Sequence, residues 1–346
     1  MTVIHGLVAC ASVPEAGPGT KAETYSNPVL ATDFPDPAVL RAPDGWFYAY
    51  ATQSDARGAM SNVQVARSRN LVHWEHLGDA LPRKPHWGAS KQRFWAPHVI
   101  LDRTLGRYFM YYSAEPDDST GTCLAVATSD APEGPFLDIG SPMLCGEGHE
   151  HIDPMAFDDP KTGKRLLYWG SASRPIRVQE LAPDRQRFLP GSEPKDLIFP
   201  DKDRPYRALI EGAWVTYRDG TYYLYYSGDR CCGPRARYAV MVARASDAFG
   251  PFERFEGKDG AGDGAILRNN GFWLAPGHNS VVRDAEGTDW MLYHAIDAAR
   301  AHFEDIPRRR GSQRVMLLER IVYENGWPRI GGDQPSTSRQ KAPILP

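Results

Sequence analysis

Five aromatic stretches recur along the chain at intervals near 60 residues, and each closes on a small or polar residue. They occupy residues 46–52, 108–113, 166–171, 222–227 and 290–295. Each follows a turn that carries glycine: Asp44-Gly45, Leu105-Gly106, Thr162-Gly163, Asp219-Gly220 and Glu286-Gly287. Such runs read as β-hairpins, because flat rings pack well on a pleated surface and glycine accepts the positive φ of a tight turn. Another apolar run precedes each turn, and a third strand follows at 63–68, 123–128 and 239–244. A fourth, polar strand is expected after Pro135-Phe136 and Pro251-Phe252. Strands repeating at a fixed period, with almost no helical periodicity, imply an all-β fold. The expected architecture is a five-bladed β-propeller with four antiparallel strands per blade. A large β-sandwich would leave the regular period without a cause.

Expected boundaries follow. Residues 1–22, with Pro14, Gly17, Pro18 and Gly19, read as a disordered leader. Residues 23–332 form a single propeller domain, and the Pro/Ser/Gln-rich residues 333–346 a tail. No Lys or Arg precedes the mildly apolar residues 2–9, which makes a poor signal peptide, but Leu7-Val8-Ala9-Cys10 faintly resembles a bacterial lipobox. The expected location is secreted or periplasmic, with the cytoplasm as alternative. The five cysteines include no C-x-x-C pair, so zinc is not expected. Cys123 and Cys145 could bridge, Cys231-Cys232 could close only a small ring, and buried free thiols are the expected state for most. The net charge of −3 supplies no field for nucleic acid. Arg308-Arg309-Arg310 reads as a solvated loop. No apolar run approaches the roughly 18 residues of a membrane-crossing helix.

The inner strand of each blade can be aligned on an apolar residue: Leu40, Ile100, Phe157, Val215 and Val282. Four residues earlier stand Asp36, Ala96, Asp153, Glu211 and His278, spaced by 60, 57, 58 and 67 residues. Inner strands of a propeller run parallel around its axis, so equivalent positions converge at one mouth. Each acid alone has a capping explanation. Three acids in one register are harder to explain structurally, because gathered like charges cost stability and mark functional clusters. Two carboxyl groups flanking a bond are the equipment of glycoside hydrolysis, and a third can raise the acid's pKa. Three acids and a histidine could alternatively hold a metal. Phe34, Trp95 and Trp214 beside the ring are candidate sugar platforms, against a core reading for Trp214. His98 and Arg314 are candidate sugar contacts, Arg314 alternatively reaching Asp36, and His149 is a candidate pocket wall.

Asn27-Pro28-Val29-Leu30 and Asp33-Phe34-Pro35-Asp36-Pro37 resemble the opening of glycoside hydrolase family 43. Trp95-Ala96-Pro97-His98, Ile152-Asp153-Pro154, Glu211-Gly212-Ala213-Trp214 and Pro276-Gly277-His278-Asn279 extend that resemblance over about residues 27–330. It implies a five-bladed, inverting glycosidase. By position, Asp36 matches the general base, Glu211 the general acid, and Asp153 the residue that raises and orients the acid. His278 matches a central histidine near an axial ion, often calcium, and no other cofactor is implied. Within the family, Ser227-Gly228-Asp229-Arg230 and Glu324-Asn325-Gly326-Trp327-Pro328 look like arabinan-active members, while the opening motif looks like exo-acting ones. The implied activity is cleavage of α-L-arabinofuranosyl linkages in plant-type polysaccharide or its oligosaccharides. The alternatives are a β-xylosidase and a non-catalytic carbohydrate-binding propeller.

Overall fold

The computed structural model describes residues 23–118, 121–170, 173–257, 262–301 and 312–345. The leader with Cys10 and the Arg308–Arg310 run lie outside the described residues. The only helical turns among the described residues are three short 3-10 segments. None is long and apolar enough to cross a membrane.

Five antiparallel sheets follow one another along the chain. Blade one holds Ala38–Arg41, Phe47–Ala51, Gln64–Ser68 and Glu75–Asp79, paired in that order. Blade two starts at Phe94–Asp102 and blade three at Met155–Asp158; blade four starts at Ile210–Arg218 and blade five at Trp273–Arg283. The expected propeller is thus observed, although blades two and four each split their outer edge between two short strands.

Strand alternation explains how blades adhere. In Phe47–Ala51 every residue is buried, because both faces of the strand meet another blade. Tyr48 and Tyr50 pack with Val99, Tyr108 and Met110 of blade two. Phe47, Ala49 and Ala51 point the other way, onto Leu292, Met316 and Leu318 of blade five. A strand with a period of two therefore reads as a continuous apolar run, and each blade's aromatic strand cements both of its neighbours.

Blade five has three strands of its own, Trp273–Arg283, Asp289–Asp297 and Val315–Arg320. The N-terminal segment supplies its outer edge. Leu30 bridges Met316, the Val29 N–H donates to Met316 O at 2.9 Å, and the Phe34 N–H donates to Arg314 O at 2.7 Å. The chain thus closes its own circle before entering blade one. Residues 333–345, whose composition suggests a tail, are also packed: Gln340–Lys341 pairs with Thr24–Tyr25. Cys123 and Cys145 face each other across a strand pair and are disulfide-bonded, as are Cys231 and Cys232. The first is the bridge that the sequence allowed, and the two together correct the expectation of free thiols for most of the cysteines.

Candidate active site

Each inner strand enters the ring through a residue with left-handed backbone. Asp36, Ala96, Asp153, Gly212 and His278 have φ of 58°, 45°, 58°, 64° and 49°. Four of them are not glycine, and L-residues resist this conformation at a cost on the order of 1 kcal/mol each. Their N–H groups explain what holds them. The Ala96 N–H donates to Thr52 Oγ1 at 2.8 Å, Asp153 to Ser113 Oγ at 3.0 Å, and His278 to Ser227 Oγ at 2.8 Å. The Asp36 N–H donates to His294 Nδ1 at 3.1 Å. In blades one, two and four a polar residue closing the aromatic strand thus caps the ring residue of the next blade, and His294 of blade five caps blade one; the Gly212 N–H of blade four instead donates to the Asp153 carboxylate. Thr52, Ser113, Ser227 and His294 were visible in the sequence only as the ends of the repeats.

Blade four corrects the alignment. Its inner strand bulges between Glu211 and Trp214, as blade two does between Trp95 and His98 and blade five between Gly277 and Ser280. Gly212, and so not Glu211, is the equivalent of Ala96 and His278. A Cβ on Gly212 would lie 3.2 Å from the His278 ring, so the imidazole needs a bare residue there. Glu211 stands one step earlier, in register with Trp95.

The acids nevertheless gather. Asp36 is buried; its carboxylate accepts from Thr52 Oγ1 at 2.5 Å and from the Arg314 guanidinium at 2.9 Å. His294 and His278 Nδ1 atoms lie 3.2 and 3.4 Å from Asp36 Oδ1. Burial pushes this carboxyl up, but Arg314 and the two imidazoles outweigh it and hold it well below the usual range. Asp153, equally buried, goes the other way. Burial, then the charges of Glu211 and Asp36, lift it well above an ordinary aspartate, despite a hydrogen bond from the Gly212 N–H at 3.0 Å. Glu211 Oε1 accepts from Tyr238 Oη at 2.7 Å. Arg314 thus favours the ionised form of Asp36, while burial and like charge disfavour ionisation around Asp153 and Glu211, opposed tendencies of the kind that acid–base cleavage needs.

Several expected contacts change role. Phe34 is fully buried in the core between blades one and five, so it offers no face to a sugar. His98 and Trp214 lie two residues past the ring, and their rings meet edge to face at 5.1 Å. Together with Asp153 and His278 they line a cavity of only about 10 Å³, too small for a sugar. Burial lowers His98 to about 3, so it stays neutral. Trp95 is half-buried beside the acids, edge to face with exposed His149 at 5.9 Å. Arg314 reaches Asp36. Calcium at His278 is not supported: its Nδ1 faces Asp36 and Asp153 at 3.4 and 3.8 Å, and no three-residue metal-binding group occurs among the described residues. A larger cavity of about 750 Å³ lies at the outer edge of blade five, bordered by Trp290, Glu319 and Ser336, away from the acids.

A profile of the family described as Glycosyl hydrolases family 43 matches residues 25–328. The chain belongs to glycosyl hydrolase family 43. It is thus a glycoside hydrolase of an inverting family. Among its relatives, the "Probable arabinan endo-1,5-alpha-L-arabinosidase D" of Emericella nidulans is 28% identical, over 85% of this chain and 79% of the relative. The "Extracellular endo-alpha-(1->5)-L-arabinanase" of Thermotoga petrophila is 25% identical, over 84% and 69%. The solved structure of a thermostable family-43 glycoside hydrolase superposes with a TM-score of 0.73 at 28% identity, covering 93% of this chain and all of that one. A Cellvibrio cellulosa α-L-arabinanase structure shares the fold, with a TM-score of 0.69 at 20% identity over 86% and 95%.

Proposed function

We propose that this family 43 enzyme hydrolyses α-L-arabinofuranosyl linkages of arabinan and its oligosaccharides, with Asp36 as general base and Glu211 as general acid. The observation that carries the chemistry is the opposed environment of Asp36 and Asp153. Asp36, held anionic by Arg314, takes a proton from a water as the water oxygen attacks the anomeric carbon. Glu211 gives its proton to the departing glycosidic oxygen. Asp153, close enough to Glu211 for their like charges to interact, opposes ionisation of Glu211 and so preserves its acid form. Attack and departure occur on opposite faces, so configuration inverts. Trp95 supplies a flat apolar face for the sugar ring. The substrate class rests on relatives whose names specify arabinan, similar over most of the chain. Those named extracellular, and the two disulfides, support an exported protein.

The test is a panel of nitrophenyl α-L-arabinofuranoside, nitrophenyl β-xyloside and linear arabinan, with products resolved by length and anomer. Turnover of arabinan with initial release of the inverted anomer is expected. Preference for the xyloside would overturn the substrate assignment, and turnover of none would favour a binding propeller.

A further inference from the structure

We propose that Tyr238 is the positioning residue for the general acid, and that the His294 ring on which it lies ties the acid's orientation to the base. This rests on the assignment of Glu211 and Asp36 just given. Tyr238 is almost wholly buried, and its hydroxyl donates to Glu211 Oε1 at 2.7 Å. A protonated carboxyl has one hydrogen and two oxygens. A donor on Oε1 makes that oxygen the carbonyl and leaves the proton on Oε2, so the hydroxyl selects the oxygen that delivers it. Burial and the neighbouring carboxylates keep the phenol protonated, so Tyr238 remains a donor wherever the enzyme works.

The far side of the tyrosine is equally constrained. Its ring is parallel to the His294 imidazole within 5°, with centroids 5.7 Å apart. His294 is fully buried and its Nδ1 accepts the Asp36 N–H, so the same stack that backs the acid's partner also holds the base's backbone. Gly277 sits opposite His294 in the blade five hairpin. A Cβ built on Gly277 would overlap the Tyr238 ring, while its φ lies outside the left-handed region. Space for the tyrosine, and no backbone demand, is therefore what requires glycine there. Blade four contributes acid and tyrosine, blade five the slot, and blade one the base.

The experiment compares Tyr238→Phe, Gly277→Ala and Glu211→Gln on arabino-oligosaccharide and on 2,4-dinitrophenyl α-L-arabinofuranoside, whose leaving group needs no proton. Glu211→Gln should lose about 10²- to 10⁴-fold in kcat/KM on the oligosaccharide, the usual worth of a general acid, and far less on the activated glycoside. Tyr238→Phe should lose about 10-fold on the oligosaccharide, the scale of one hydrogen bond between neutral groups, and almost nothing on the activated glycoside. Gly277→Ala should add to that signature a loss on both substrates, because the displaced ring also presses on His294 and so on the base; a loss confined to the oligosaccharide would cut the tie between acid and base, and urea unfolding reports an intact fold. Equal losses on both substrates for Tyr238→Phe would make the residue merely structural, and no loss on either would remove it from the mechanism. If Glu211→Gln itself lacks the leaving-group dependence, the acid assignment fails and the inference with it. If Glu211→Gln shows it and Tyr238→Phe does not, only the tyrosine's role is wrong.

Discussion

Arg314 and Asp36 show how one contact sets a working range. The guanidinium is the strongest of the charges that hold the base ionised. Arg314→Met removes a cation that favours the charged form, so the carboxyl's pKa rises. The acid limb of the kcat/KM profile should then move to higher pH, with activity at neutral pH falling through loss of orientation. An unmoved limb would show that Arg314 does not set the base's working range. Phe34 is the contrasting residue. It neighbours the base in sequence, yet it is fully buried between blades. Phe34→Ala should cost about 3–5 kcal/mol in urea unfolding, by the usual penalty for an aromatic cavity, and leave KM of the folded fraction unchanged. That the acids gather was legible at this scale because Asp36 and Asp153 recur in phase and Glu211 stands one residue from that phase. Phe34's burial was not, since an aromatic beside an acid looks the same whether it turns toward a sugar or a neighbouring blade. Glu211 was singled out for a partly mistaken reason: counting residues cannot see a bulge, and the ring position of blade four is Gly212.

At the scale of the strand, a polar residue at the end of four of the five aromatic runs proves to be a fastener. Ser113 is fully buried and its oxygen accepts the Asp153 N–H. Ser113→Ala leaves that amide unpaired in the interior, at a cost of about 1–3 kcal/mol, and lets a strained backbone relax. Urea unfolding should show the loss, and kcat should fall with it because Asp153 sits on the freed backbone. Unchanged stability and rate together would mean that the φ of Asp153 is fixed by packing alone. The sequence displayed the periodic strands themselves, since a period of two with aromatic content depends only on local spacing. It could not display the caps, because each joins residues tens of positions apart, and in the case of His294 and Asp36 residues from the two ends of the circle.

For the whole molecule, the decisive event is closure. Glu319, on the last strand of blade five, holds both ends of the chain. Its Oε1 accepts from Asn27 Nδ2 at 2.8 Å and from the Ser336 N–H at 2.7 Å. Burial pushes its carboxyl up to about 7, with these hydrogen bonds pulling partly back. The sign follows from linkage. Between about 4.5 and about 7 the folded chain keeps a proton on Glu319 that the unfolded chain has lost, so raising the pH through that window destabilises the fold. At 1.36 kcal/mol per unit, the penalty above pH 7 is about 3 kcal/mol from this group. Glu319→Gln keeps an oxygen acceptor for Asn27 and Ser336 and cannot ionise. The stability difference between variant and wild type, read from urea unfolding at pH 5 and pH 8, should therefore swing toward the variant at pH 8. A difference that stays constant across that interval would mean that Glu319 is already ionised in the fold, with the clasp accommodating its charge. The swing matters for how the propeller works, because Phe34 and Asp36 follow directly on the segment that Glu319 secures. Loosening the closure loosens the base, so activity of the wild type at pH 8 should fall at lower urea concentrations than that of Glu319→Gln.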